Sequence, residues 1–256
     1  MIRNISNYTY VIRLLVEQSL TVRFRKTIFG YLWTLITPLL MMTVLAVIFS
    51  GLFNQDIKTF TIFLFAGFIP WNFFSNTVIT CSGSMIANEG LIKKIYLPKI
   101  IFPLSVSIAL LIDAIFAFIA LFMIMILLGA NFSYSLITIP LAYLLLFSFS
   151  LGIGLILSVY SVFLRDIQHI TPIIIQALFF LSPILYPSDR FASGPLGFII
   201  NLNPIVPFID LFRNPLYHSS FPSLETYILA SFFSITSLLI GFYVMDRYKR
   251  EISFKL

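Results

Sequence analysis

The sequence predicts an all-α, polytopic membrane protein with six transmembrane helices, and three observations carry that prediction. The first is composition. Of 256 residues, 59% are hydrophobic and 10% are charged, against about 25% charged in ordinary soluble domains. A fold of this size has too few polar side chains to cover a water-facing surface, so lipid is the solvent for most of the chain. The second is continuity. The apolar runs are unbroken and about one bilayer long, not alternating at period two, which argues against a β-barrel. The third is charge placement: the basic residues gather at one set of ends of those runs.

The elements follow in order. Residues 8–26 are less apolar than what succeeds them. At helical spacing Tyr8, Val11, Ile12, Leu15 and Val22 share one face, and Ser6, Thr9, Arg13, Glu17 and Thr21 the other. This predicts an amphipathic helix lying in the cytoplasmic interface. It ends on Arg23, Arg25 and Lys26, which serve as a membrane-surface anchor and topology signal, or in addition as a contact for a cytoplasmic partner. The first span is expected at about 30–53, stopped by Asn54, Gln55 and Asp56, and the second at about 59–82. A polar loop with Glu89, Lys93, Lys94 and Lys99 leads to a third at about 100–128, which contains Asp113. GANFSY separates it from a fourth at about 135–163, and LRDIQH precedes a fifth at about 170–187. Residues 188–225 are broken by Gly and Pro and too short for two more spans. Irregular backbone at membrane depth survives only where protein or water covers it, so two short re-entrant or interfacial helices are expected there, at about 194–202 and 204–216. The sixth span is expected at about 226–245, before a charged tail. Residues 1–256 read as a single membrane domain.

With the N-terminus inside, thirteen Lys and Arg fall in inner segments and only Lys58, Arg190 and Arg213 in outer ones. Basic residues stay cytoplasmic, so both termini are expected in the cytosol. The net charge of +6 thus reflects membrane orientation and not nucleic-acid binding. Cys81 stands alone, which excludes an intrachain disulfide. The charges scattered over 1–26 do not fit a secretory signal.

Catalytic chemistry is not written here. There is no GxxxxGK[ST] phosphate loop, no HExxH, no paired Cys/His spacing and no GxSxG. The chain reads as a non-enzyme without a metal or cofactor of its own; any uphill transport draws energy from another subunit or an ion gradient. Glu89 and Lys93 stand in the favourable i,i+4 order, which suits a solvated loop helix. Arg165 and Asp166 follow the fourth span, either as a helix-end pair or as a salt bridge at a cytoplasmic gate. Asp113 lies near mid-membrane, where a charge costs on the order of 3 kcal/mol. It serves in a proton relay, which would need an acid or His partner at similar depth, or pairs structurally with Asn, Ser or Tyr of another helix, and Gln176 carries the same two readings.

Five stretches resemble one family. RFRKTIFGYLWTLITPLL (23–40), FAGFIPWNFFSN (65–76), NEGLIKKIYLPK (88–99), VFLRDIQHI (162–170) and NPIVPFIDLFR (203–213) occur in the order seen in polysaccharide-export permeases of the ATP-binding-cassette, type 2 exporter superfamily. The resemblance implies a homodimer of permeases, each bound to a separate ATPase subunit that holds ATP and Mg. The implied cargo is a lipid-linked polysaccharide of O-antigen, capsule or teichoic acid type. It implies an interface helix at about 8–26, a coupling helix at about 84–95 with Glu89, Lys93 and Lys94, and a periplasmic gate at about 190–220. For a glycan cargo, amphipathic rings offer weak repeated contacts that permit sliding. Tyr31, Trp33, Phe179, Phe180 and Tyr186 are candidates for that path, or else belong to interfacial aromatic belts. The rival readings are an exporter of small lipids or drugs, a membrane-embedded transferase, and a membrane scaffold.

Overall fold

The computed structural model describes residues 2–24, 29–95, 97–130, 132–187 and 195–255, with the backbone alone described at some of them, Arg23 and Tyr31 included. Among the described residues there is helix and connecting chain but no strand. The helix expected at 8–26 is α1 (Ile2–Phe24), which starts earlier than residue 8. A 3-10 turn at Gly30–Leu32 leads into α2 (Trp33–Phe53), which Asn54 closes in the left-handed conformation at φ 52°. Asp56 caps α3 (Ile57–Ala87) by accepting from the Thr59 amide at 3.2 Å. After α4 (Glu89–Lys94) come α5 (Ile101–Leu127), a 3-10 turn at Tyr134–Thr138, and α6 (Ile139–Phe163). Then follow α7 (Ile167–Leu181), α8 (Pro195–Leu202), α9 (Val206–Leu216) and α10 (Leu224–Lys255).

Among the described residues, four helices are long and apolar enough to cross a membrane: α3, α5, α6 with its preceding turn, and α10. Shorter apolar stretches lie at Leu39–Phe53 in α2 and along α7. The expected fifth run, 170–187, is not one helix. Ser182 turns to extended backbone ahead of Pro183, so α7 has 15 residues, about 22 Å at 1.5 Å per residue.

The core is built around α3, which packs against α2, α5, α6, α7 and α9. Its apolar residues surround the axis because neighbours do. Phe74 of α3 stacks on Phe149 of α6 at 5.5 Å, and Phe149 stacks on Phe208 of α9 at 4.7 Å. Lipid tails are as apolar as these side chains, so close packing and interhelical hydrogen bonds hold the helices together rather than escape from water. The tightest crossing is α6 on α10. A Cβ at Gly152 would lie 2.4 Å from the Ser237 carbonyl carbon, and one at Gly241 would lie 2.7 Å from the Gly152 oxygen. Nearby, Ser234 Oγ sits 2.8 Å from the Leu145 carbonyl.

Candidate functional site

One end of the helix bundle is organised by α4. The chain leaves α3 at Asn88, whose side-chain amide donates to the Ser84 carbonyl at 2.7 Å, and whose own carbonyl accepts from Leu91 and Ile92 at 3.0 Å each. This kink starts a separate helix of six residues, none of them buried. The coupling segment expected at 84–95 therefore divides into the end of α3 and all of α4. On the outer face of α4, Lys93 Nζ donates to Glu89 Oε1 at 2.5 Å. That bond, the Lys93 charge and the more distant charge of Arg165 hold the Glu89 carboxyl below its ordinary range. Arg165, just past the end of α6, thus lies near enough to Glu89 for its charge to be felt. Arg165 and Asp166 are both exposed and form no ion pair with each other; Asp166 precedes α7 without capping it by its side chain. Lys94 is exposed.

The inner face of α4 is apolar. Leu91 and Ile92 pack in one cluster with Tyr8, Val11, Ile12 and Leu15 of α1, and with Leu97, Ile101 and Phe102 at the start of α5. The face read from residues 8–22 thus docks on protein through its first four members, whereas Val22 is 61% exposed. Arg25 and Lys26 lie outside the described residues, and the Arg23 side chain is not described.

Beside this platform, α1, α3, α5 and the start of α7 enclose a cavity of about 630 Å³. Among the described residues its polar lining is uncharged: Gln18, Ser19, Thr80, Ser82, Ser84, Asn88, Ser105 and Gln168. Single hydroxyls and amides spread over four segments carry no sequence signal, so this site was not anticipated.

The candidate path residues do not form one set. Phe179, Phe180 and Tyr186 converge at the end of α7: the two rings meet edge to face at 5.4 Å, and the Tyr186 hydroxyl donates to the Phe180 carbonyl at 3.0 Å. Phe179 also packs on Trp71 of α3, whereas Phe180 is 61% exposed. Gln176, one turn before Phe180, is exposed. Trp33 sits apart, edge to face with Phe29 at 5.6 Å. Asp113 is half-buried on α5, which packs against α1, α2, α3 and α6. The Tyr31 side chain is not described.

Sequence reasoning missed the group that orders the opposite end. Arg213 of α9 is buried. Its Nη1 donates to the Pro183 carbonyl at 2.7 Å and its Nη2 to the Ile184 carbonyl at 3.3 Å. The guanidinium lies 3.9 Å above the Phe63 ring of α3, and Nη2 occupies the space where Gly67 lacks a side chain. A second tie joins the linker before α9 to the end of α7, where Asn203 Nδ2 donates to Ser182 Oγ at 2.9 Å. The sequence signal was an Arg inside an apolar run, next to a proline-broken helix.

The sequence profile of the ABC-2 type transporter membrane family matches residues 10–217, which run from α1 to the end of α9. The chain belongs to that family. Similar proteins include the O-antigen export system permease protein RfbA of Klebsiella pneumoniae, 30% identical over 91% of this chain and 93% of that protein. RfbA of Myxococcus xanthus is 25% identical over 99% of this chain and 98% of its own length. The polysialic acid transport protein KpsM of Escherichia coli is 28% identical over 88% of each. An ABC-2 membrane chain is a permease subunit of an integral membrane transporter and works with an ATP-binding-cassette partner; it is not itself the ATPase.

Proposed function

We propose that this chain is the transmembrane subunit of an ATP-driven exporter of lipid-linked polysaccharide, of O-antigen, capsule or teichoic acid type, in the bacterial inner membrane. It works as a homodimer with two copies of a cytoplasmic ATPase that binds ATP and Mg. Six segments cross, including the shorter α2 and α7, and both termini are cytoplasmic. The observation that carries this reading is the cluster joining α4 to α1 and α5. An exposed, charged helix backed by such a cluster can be pushed from the cytosol. Its motion then passes to the interface helix and to a spanning helix together.

The names of the relatives, O-antigen permeases and a polysialic acid transporter, favour a glycan cargo. The uncharged hydroxyl and amide wall of the cytoplasmic cavity favours it too, because sugar hydroxyls exchange hydrogen bonds with such groups at little desolvation cost. A drug exporter would present more apolar and aromatic lining there. Arg23, Arg25, Glu89, Lys93 and Lys94 are assigned to ATPase contact, Arg165 and Asp166 to the cytoplasmic gate. Tyr31, Trp33, Asp113, Gln176, Phe179, Phe180 and Tyr186 are assigned to the path, and α8 and α9 to its outer gate.

The test is export of long polymer in cells that lack this chain but keep the ATPase. The wild-type chain should restore ATP-dependent export. Glu89→Lys, which places three cations on α4, should insert normally and reduce export at least tenfold. Equal export by the variant, or export without the ATPase, would remove the reading.

A further inference from the structure

The last turns of α10 and the connector that precedes α5, residues 97–100, line a second cavity, of about 750 Å³, apolar in one part and cationic in another. Along α10 the apolar wall of Phe242 and Met245 gives way to Asp246, Lys249 and Arg250, which Lys99 joins from the connector; Asp246 is the one acid among the described lining residues, and Phe254 also lines the cavity. The helix explains the depth. At 32 residues, α10 extends about 48 Å, beyond an apolar slab of about 30 Å. Its cationic end therefore reaches headgroup level while Phe242, two turns earlier, remains among acyl chains.

The cations are only partly committed. Lys99 Nζ donates to the Lys249 carbonyl, and Lys249 pairs with Asp246 at 2.6 Å. Arg250 makes no hydrogen bond or ion pair with any described residue, which leaves the five donors of its guanidinium unused. Partial burial pushes the Lys99 ammonium below its ordinary range, a cost that an adjoining anion would relieve. An acidic protein surface could answer the charge but would not fill the apolar wall. A zwitterionic lipid would fill that wall but bring its own cation against three others.

We propose that this cleft is a binding site for an anionic phospholipid of the cytoplasmic leaflet, its phosphodiester held by Arg250 and Lys99 and one acyl chain laid along Phe242 and Met245. The site depends on the chain's place in the membrane and not on what is exported. Basic pockets between helices on the cytoplasmic side suit such headgroups.

The test uses the full-length chain purified in detergent. Native mass spectrometry reads the lipid retained after incubation with phosphatidylglycerol or phosphatidylcholine of matched acyl chains. The wild type should retain phosphatidylglycerol at least fivefold better. Arg250→Gln should lower that retention about fivefold, the size expected for one cation near a lipid phosphate. Arg247→Gln, an equal charge change on the same helix but off the cleft, should leave it unchanged. Millimolar glycerol phosphate should not displace the lipid. Equal retention of both lipids, equal effects of the two Arg variants, or displacement by glycerol phosphate would overturn the site. So would an Arg250→Gln chain that keeps its lipid but loses the ATPase on purification, since the cations would then serve a protein contact.

Discussion

Arg213 holds three parts of the end remote from α4 in one arrangement: α9, the turn after α7, and α3. A cation at this depth is tolerated because two carbonyls and an aromatic face replace water. Arg213→Met leaves the Pro183 and Ile184 carbonyls without their donor, at a cost on the order of 3 kcal/mol. Arg213→Lys should fall between wild type and Met, because an ammonium can serve one carbonyl but cannot span both or lie flat on Phe63. Gly67→Ala reaches the same group from the other side, since its methyl would stand 2.6 Å from Nη2. The guanidinium is pinned and cannot simply swing away, so this change should cost about 1–3 kcal/mol. Thermal unfolding of the purified chain checks the pair. The double variant Gly67→Ala/Arg213→Met should lose clearly less than the sum of the singles, because without the guanidinium the methyl has room. Strict additivity would show that the two residues do not meet.

Among the elements, α6 and α10 are defined by what they lack. Gly152 and Gly241 let the two backbones touch, and such approach is the main source of helix association in lipid. Gly152→Ala drives a methyl into the Ser237 backbone, which cannot move without the whole helix. It should lower the unfolding temperature of the chain by several degrees or more and reduce the yield of folded protein. Gly51→Ala is the control: nothing lies within 4 Å of the added methyl, and alanine is the better helix former, so it should be neutral or slightly stabilising. Equal loss in both would mean that helix propensity, not the crossing, governs the result. Hydropathy could locate these helices, because lipid demands long apolar runs, but it could not pair them. α3 is apolar all round and presents no single face from which partners could be inferred. The Asn88 kink was likewise invisible, since the residues on both sides of it form helix. The proline breaks were legible, and α8 and α9 fall close to where those breaks set them.

For the whole molecule, a single chain leaves some surfaces open that lipid would not suit. α7 exposes Gln176 between Ile173, Ile174 and Phe180, and a polar side chain held at membrane depth belongs against water or protein. α10 exposes Leu239, Ile240 and Phe242 with no such group among them, which fits lipid. The two faces can be distinguished by thiol chemistry, because maleimides react with the thiolate and a thiol in hydrocarbon stays protonated. In a Cys81→Ser background, whose native thiol is buried, Ala177→Cys places a reporter beside Gln176 and Leu239→Cys places one on α10. A membrane-impermeant maleimide should label position 177 at least tenfold faster than position 239. Labelling at 177 should also slow when the partner ATPase is bound and nucleotide is added, if closure of the assembly moves α7. Equal protection of both positions would place the α7 face in lipid, leave Gln176 as a group paired within the bilayer, and require the path to run elsewhere.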